Sequence, residues 1–170
     1  MDLDRVLLRL MRTANVVAAL TADLDDVQAR WKPSPDDWSI LEVVNHLYDE
    51  EREDFRTRLD IILHRPDEPW PPIQPSAWAV ERRYNERDLE DSLENFLAER
   101  RTSLDWLRGL KNPDWANQST HPAGYIFSAG DMLSSWLAHD FLHIRQLNEL
   151  QYGYHALSVA PYGVVYAGDW

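Results

Sequence analysis

The sequence predicts an all-α protein that folds as a four-helix bundle. Four long stretches carry apolar residues at helical spacing, and segments that contain proline separate them. No stretch shows the strict alternation of a half-buried strand, and no internal repeat is apparent. Because 170 residues can enclose one substantial hydrophobic core, we expect residues 1–170 to form a single domain.

The first predicted helix runs from about Asp2 to Arg30. It ends before Lys32-Pro33-Ser34-Pro35, because a proline disfavours the helical backbone at the residue that precedes it. The residues expected on its inward face are Leu3, Leu7, Leu10, Ala14, Val17 and Leu24.

The second predicted helix begins at a capping box. Ser39 can accept a hydrogen bond from a free amide of the first turn, and Glu42 can reach back to the cap. The helix should end near His64 and Arg65, before Pro66. Residues 66–87 follow as a long connection that several prolines keep from being helical, and loops of this length are often functional.

The third predicted helix covers about Asp88 to Leu110, and the fourth covers about Ser128 to Gln151, with a loop at 111–127 between them. The segment from Gly153 to Trp170 is not helical in pattern. Its valine, tyrosine and tryptophan side chains would be costly to leave in water, so we expect an ordered C-terminal tail that lies across the bundle.

Charge and cysteine content limit the classes of function. The formal net charge is −12, and the pairs Arg82-Arg83 and Arg100-Arg101 are isolated in the sequence. Nucleic-acid binding normally needs a basic face, so we expect no nucleic-acid partner. The chain has no cysteine, so the protein ligands of any metal ion must be nitrogen or oxygen atoms.

The sequence also lacks the patterns of a targeting or membrane segment. The N-terminus has no basic segment followed by an apolar run, and no apolar stretch approaches the ~20 residues needed to cross a bilayer. We therefore expect a soluble, cytoplasmic protein with no membrane partner, whose partner is a small-molecule substrate.

Two histidines on the fourth helix are the clearest chemical signal. His139 and His143 lie four residues apart, so their side chains share one face of the helix. A buried polar group left unpaired costs roughly 1–3 kcal/mol, and a divalent metal ion would satisfy both imidazoles. The apolar residues within about 40° of the same line on the helix are Met132, Trp136, Leu147 and Leu150.

A third histidine on the second helix can complete the set. If the second and fourth helices are adjacent, His46 can meet His139 and His143 at one point. Three protein nitrogens with open positions are typical of a catalytic metal site, whereas structural sites usually have four protein ligands. Glu50, one turn after His46, could join the ligand shell or hold a water molecule there.

These residues occur in an order and spacing that resemble the DinB-like (YfiT-like) superfamily of four-helix-bundle proteins, and the resemblance spans nearly the whole chain. Trp38-Ser39 opens the second helix, and His46 follows seven residues after the serine. The other matching features are the block His139-Asp140-x-x-His143-Ile144-x-Gln146-Leu147, the loop His121-Pro122-Ala123-Gly124 and the ending Tyr166-Ala167-Gly168-Asp169-Trp170.

The resemblance implies an up-down-down-up bundle with a long crossover between the second and third helices, which fits residues 66–87. It implies a divalent metal site formed by His46, His139 and His143. Some relatives are transferases or isomerases that use low-molecular-weight thiols such as bacillithiol, mycothiol or glutathione, and relatives are frequently homodimers. A thiol S-transferase that uses such a thiol as co-substrate is therefore the leading expectation, and a homodimer is expected.

Further residues are candidates for contacts around the metal or the substrate. Gln146 lies on the inner side of its helix and could orient a metal ligand, while Glu50 and the loop residue His121 could contact ligand or substrate. Arg100 points inward and is expected to pair with an acidic neighbour, although it could also receive an anionic substrate. Asp140 points away from the histidines, so an exposed ion pair or a capping role is expected.

Several alternatives stay open. A zinc-protease helix requires glutamate directly after the first histidine, where this chain has Asp140, and a ferritin-like centre requires Glu-x-x-His pairs, which are absent. Nitrogen ligands suit zinc, nickel, iron or cobalt, and the sequence does not choose among them. The same site could serve a metal-dependent hydrolase, and the protein could instead be a non-enzymatic, metal-stabilised module in binding or stress response.

Overall fold

The computed structural model describes residues 1–168, and it is a four-helix bundle with a two-stranded hairpin at one end. The bundle helices are α1 (Leu3–Thr21), the second helix with its parts α3 (Ile40–Asp49), a π-helical segment (Glu50–Phe55) and α4 (Arg56–His64), α6 (Leu89–Gly109) and α7 (Ala129–Ser158). The short elements are α2 (Asp26–Arg30), α5 (Pro75–Glu81), β1 (Gln118–Thr120), β2 (Ile126–Ser128) and the 3-10 helices Tyr84–Glu86 and Val165–Ala167.

The helices begin where side chains can cap them. The predicted capping box of Ser39 and Glu42 is present, and Ser128 forms a second one with Asp131. Asp2 and Asp88 cap α1 and α6 by accepting hydrogen bonds from backbone amides three residues later. Each cap satisfies amide groups that have no partner within the helix.

The first helix is shorter than predicted. It ends at Thr21, and a separate short helix, α2, begins after Asp25, whose side chain accepts a hydrogen bond from the amide of Gln28. Between them Asp23 takes a left-handed backbone conformation, with φ of 58°, which breaks the helix. The apolar spacing continues across this break, so it could not reveal the break.

The predicted tail is wrong in two respects. Residues 153–158 belong to α7, and Gly153 allows the Trp31 ring to approach so closely that a Cβ atom would lie 3.0 Å from it. The rest of the described tail does not cover the bundle, because Tyr162 is 79% exposed and Val165 is 85% exposed. Asp169 and Trp170, which belong to the family-like ending, lie outside the described residues.

The connections contain structure that the sequence pattern did not predict. The loop predicted at 111–127 includes the antiparallel strands β1 and β2, which are three residues long and too short to show alternation. The crossover at 66–87 includes α5 and a 3-10 helix. Its Trp70 is buried and donates a hydrogen bond from Nε1 to Ser119 Oγ, which links the crossover to the hairpin.

The order of residues in the core confirms the predicted up-down-down-up topology. One apolar cluster contains Leu7, Leu104 and Leu133, and the other contains Val17, Phe96 and Leu147. The chain therefore crosses the two clusters in the same direction in α1 and α7 and in the opposite direction in α6. The second helix also runs opposite to α1, from Val43 in one cluster to Leu59 in the other.

A layer of polar side chains lies between the two apolar clusters, at the middle of the bundle. Each of the four bundle helices contributes to it, and its buried members are Thr13, His46, Glu51, Arg100 and Asp140. Polar groups inside a core need partners, so this layer is where the fold must place matched donors, acceptors or a ligand. Within the part of the chain described, no helix is both long and apolar enough to span a bilayer.

Candidate metal centre

Three histidines meet at the edge of the polar layer. The Nε2 atom of His139 lies 3.2 Å from Nε2 of His46 and 3.1 Å from Nε2 of His143. One ligand atom from each side chain lies within 4.8 Å of the others. The helix α3 supplies His46 and α7 supplies the other two, so packing of these helices assembles the cluster, as the sequence predicted.

The remaining ring nitrogens show how two of the imidazoles are oriented. His143 Nδ1 lies 2.8 Å from Gln146 Oε1, and an N–H at Nδ1 that donates to this oxygen leaves a lone pair on Nε2. His46 Nδ1 and Glu50 Oε1 are buried without a hydrogen-bond partner among the described residues, and they lie 3.9 Å apart. A small movement would let Glu50 accept from His46 in the same way.

Burial keeps the three imidazoles uncharged. Burial is the main cause that lowers the pKa of His46 to about 2 and that of His139 to about 3, and the charge of His143 contributes to both. The pKa of His143 is also lowered by burial, although its contact with Gln146 opposes the shift. All three side chains are therefore neutral at pH 7, and neutral imidazole is the form that binds metal ions.

The cluster fits a divalent cation. Lone pairs on three neutral nitrogens repel one another at this distance, and a cation between them would turn that repulsion into attraction. Zinc-to-nitrogen bonds of about 2.0–2.1 Å in a tetrahedral site place ligand nitrogens roughly 3.3–3.4 Å apart. The observed 3.1 and 3.2 Å separations are close to this spacing. The histidines His46, His139 and His143 could thus hold zinc or a similar ion.

Aromatic rings form walls around the cluster. The Trp38 ring is stacked with His143 at a centroid distance of 6.3 Å and lies 4.7 Å from His46. The Phe55 ring lies 5.0 Å from His139 and stacks on Trp136. Because His139 and His143 are only partly buried while His46 is buried, the cluster is open to solvent on the α7 side.

The π-helical segment turns neighbouring carboxylates toward different partners. Asp49, Glu50 and Glu51 are consecutive and all buried, although three consecutive positions of a regular α-helix span about 200°. Asp49 accepts from Arg82, Glu50 lies beside His46, and Glu51 accepts from Arg100. Such one-turn π-helices within longer helices frequently occur at functional sites.

Glu50 forms a buried pair of carboxyl groups with Asp54. Burial is the main cause that raises the pKa of Glu50 to about 9, and the charge of Asp54 and its hydrogen bond raise it further. Burial also raises the pKa of Asp54, while Arg58, whose Nε lies 2.8 Å from Asp54 Oδ1, acts against this. This pair can share one proton near neutral pH.

The expectation for Arg100 is confirmed, but that for Asp140 is wrong. Arg100 makes two-pronged contacts with Glu51 and with Asp140, at distances between 2.7 and 2.9 Å. Asp140 is only 2% exposed and also accepts from Thr13. The carboxylate was expected at the surface because it points away from the histidines, but that direction leads into the core, toward the arginine of α6.

His121 does not join the histidine cluster. It lies at the hairpin, stacked on Tyr125 at a centroid distance of 4.3 Å and edge-on to Trp70 at 5.2 Å. Its charge also acts to lower the pKa of Asp54, a member of the carboxyl pair.

The sequence prediction missed the roles of Glu51, Asp54 and Arg58. Acidic residues concentrated in the second half of an otherwise apolar helix were the only available signal. This signal does not indicate burial, because the π-helical turn that buries these residues leaves no trace in the spacing.

Comparisons with known proteins agree with this fold. The model of the DinB superfamily matches residues 9–147. YfiT from Bacillus subtilis, described as a probable metal-dependent hydrolase with an unusual four-helix bundle topology, has a similar structure, with a TM-score of 0.80 and 19% sequence identity over 90% of this chain and 87% of that chain. A comparison with curated proteins gave no match. The likeness to YfiT, at this identity, establishes the fold alone.

Proposed function

The chain belongs to the DinB superfamily, and from this premise we propose that it is a divalent-metal-dependent hydrolase of a small substrate. The observation that carries the proposal is that Nε2 of His46 and Nε2 of His143 lie 3.2 and 3.1 Å from Nε2 of His139. Three neutral nitrogen ligands leave positions free for water and substrate, which is the arrangement of catalytic zinc sites. The description of YfiT as a probable metal-dependent hydrolase supports the same reading.

The residues of the site have distinct roles in this proposal. His46, His139 and His143 would hold the ion, which could be zinc, nickel or iron. When bound, such an ion polarises a carbonyl group and lowers the pKa of water towards neutrality. Gln146 fixes the ring of His143 through Nδ1, and Glu50 is placed to do the same for His46.

The charges around the site favour an uncharged substrate. Each arginine near the cluster is already engaged by carboxylates: Arg58 by Asp54, and Arg100 by Glu51 and Asp140. The Trp38 and Phe55 rings add apolar walls. A substrate with several negative charges would find no free cation among these contacts, so we propose neutral esters or amides as the substrate class.

The hydrolase proposal is tested with untagged protein. Metal content measured by inductively coupled plasma mass spectrometry should be about one ion per chain, and hydrolysis of neutral p-nitrophenyl esters and anilides should stop on chelation and return with metal. His139→Ala should abolish both. The matched control is His64→Ala, since His64 lies in an exposed ion pair with Asp60 and should keep both.

Two outcomes would contradict parts of the proposal. If the wild type and a variant with His46, His139 and His143 all replaced by alanine had equal metal content, these histidines would not be the metal site. One bound ion without turnover of any ester or amide would reject the hydrolase and favour a metal-stabilised binding or stress-response module.

A thiol S-transferase is the second candidate function. It is favoured by one observation: Glu50 approaches His46 from the Nδ1 side, and no described carboxylate contacts the Nε2 atoms as a base for water. A low-molecular-weight thiol as co-substrate ionises more easily and needs no such base. Metal-dependent conjugation of bacillithiol, mycothiol or glutathione to monochlorobimane, without ester hydrolysis, would select this function. A cytoplasmic location and a homodimer stay predictions.

A further inference from the structure

A basic face runs along one side of this acidic protein. From Arg5 to Ala22 the chain has three arginines and no acidic residue, and from 101 to 111 it has three basic residues and one acidic residue. All six basic side chains are exposed. The two segments are far apart in the chain, so the sequence shows no basic cluster, but α1 packs directly against α6. The face consists of Arg5, Arg9, Arg12, Arg101, Arg108 and Lys111.

A groove of about 440 Å³ opens between α1 and α6, and of the basic face only Arg101 and Arg108 line it. Its apolar lining comes from both helices and consists of Met11, Ala14, Leu97 and Leu104. Met11 is 39% exposed, so its side chain is accessible to a ligand in the groove. The groove is distinct from the histidine centre, because it contains none of the three histidines.

The groove carries one positive charge that is not balanced. Arg108 is paired with Asp105 at 2.8 Å, and Arg100 at the floor is held by Glu51 and Asp140. Arg101 also lines the groove, and its side chain forms no ion pair or hydrogen bond with any residue from 1 to 168. An unpaired arginine beside an apolar groove matches a ligand with one anionic end and one hydrocarbon end.

We propose that this groove binds a single-chain anionic amphiphile, such as a fatty-acid carboxylate. The hydrocarbon chain lies against Met11 and Leu104, and the carboxylate pairs with Arg101. A second copy of the chain fits less well, because a symmetric dimer through this face would bring like charges together. A nucleic acid fits less well because Asp105 lines the groove and Met11 and Leu104 give it an apolar surface. The proposal does not depend on the metal site or on the hydrolase function.

The test is calorimetric titration of the intact protein with sodium dodecanoate below its micelle concentration. We expect saturable binding of one dodecanoate per chain and binding of uncharged dodecanol weaker by about tenfold or more. Arg101→Glu should weaken dodecanoate binding by about tenfold or more, because it places a like charge beside the carboxylate. Met11→Glu should weaken it as well, since it puts a carboxylate into the apolar lining.

The matched control is Arg9→Glu, which makes the same change in net charge on the outward side of α1. Its affinity for dodecanoate should stay within about twofold of the wild type. Equal losses in Arg9→Glu and Arg101→Glu would overturn the proposal, because attraction would then come from the face as a whole. It would also be overturned by the absence of saturable binding, by equal binding of dodecanol, or by binding only to vesicles of anionic phospholipid.

Discussion

At the scale of single residues, the orientation of His46 depends on Glu50. Two buried atoms, His46 Nδ1 and Glu50 Oε1, face each other at 3.9 Å without other partners among the described residues. A carboxylate that accepts a hydrogen bond from the ring nitrogen that does not bind the metal typically contributes 10–100-fold to metal affinity. We therefore predict that Glu50→Gln lowers zinc affinity about 10–100-fold, measured by competition with a chromophoric chelator. Glu90→Gln, at an exposed position, is the control, and an unchanged affinity in Glu50→Gln would exclude the role.

The lowered pKa values of the histidines predict a pH dependence for the metal-free protein. The pKa of His46 is about 2 and that of His139 about 3 in the folded state, against about 6.5 when unfolded. Below pH 6.5 the unfolded chain therefore binds more protons than the native state, and the free energy of unfolding falls as the pH falls. The slope is at most about 1.4 kcal/mol per pH unit for each histidine.

Urea denaturation between pH 6.5 and 4.5 measures this slope. His46→Gln should make the dependence flatter than in the wild type, because one proton-binding group is lost from the unfolded chain. Glu50 acts in the opposite direction, since its raised pKa means that stability is lost as the pH rises from about 4.5 towards about 9. The contribution of His46 is therefore the difference between the pH slopes of the free energy of unfolding in the variant and the wild type. Equal slopes would contradict the lowered pKa of His46.

At the scale of elements, the sequence predicted where helices begin better than it predicted irregular turns within them. The Ser39 and Glu42 capping box is a local device, so it could be identified from residues three apart. The π-helical segment at Glu50–Phe55 is set by contacts with other elements and could not be identified in the same way. Three imidazoles were predicted together because the family pattern supplied the helix pairing, whereas the buried carboxylates beside them depend on the π-helical turn.

The crossover stabilises the π-helical segment through Arg82. Its guanidinium donates to buried Asp49 at 2.5 Å and to Glu53 at 2.9 Å, and it stacks on Trp78 at 4.0 Å. Arg82→Ala should therefore lower the free energy of unfolding by about 1–3 kcal/mol, because buried Asp49 loses its nearer cation and keeps only Arg52, at 3.3 Å. Urea denaturation gives this value.

Hydrogen exchange provides a second readout for Arg82→Ala. Amides of residues 50–55 should exchange faster than in the wild type if the arginine holds this turn in place. Arg65→Ala is the control, since Arg65 pairs with Asp60 and Glu68 at the surface and should contribute less than about 1 kcal/mol. Similar effects of the two variants would mean that the crossover does not hold the segment.

At the scale of the whole molecule, one arginine connects all four bundle helices. Arg100 of α6 donates to Leu10 of α1, to Glu51 of the second helix and to Asp140 of α7, and it is 2% exposed. Asp140 adjoins His139, and Glu51 adjoins Glu50, so the same contacts position the backbone on both sides of the histidine cluster. The sequence indicated an inward arginine with an acidic partner, but which carboxylates meet it depends on the assembly of four helices.

Replacement of this arginine should therefore destabilise the whole bundle. Arg100→Met leaves two carboxylates buried without a cation, and breaking a buried ion pair in this way costs about 3–5 kcal/mol, measured by urea denaturation. The neighbouring Arg101→Met, at an exposed position, should change stability by less than about 0.5 kcal/mol. Adding Glu51→Gln and Asp140→Asn to Arg100→Met removes the unpaired charges, so it should recover part of the loss. If the triple variant were as unstable as Arg100→Met, the packing of the arginine side chain, and not its charge, would be what holds the four helices together.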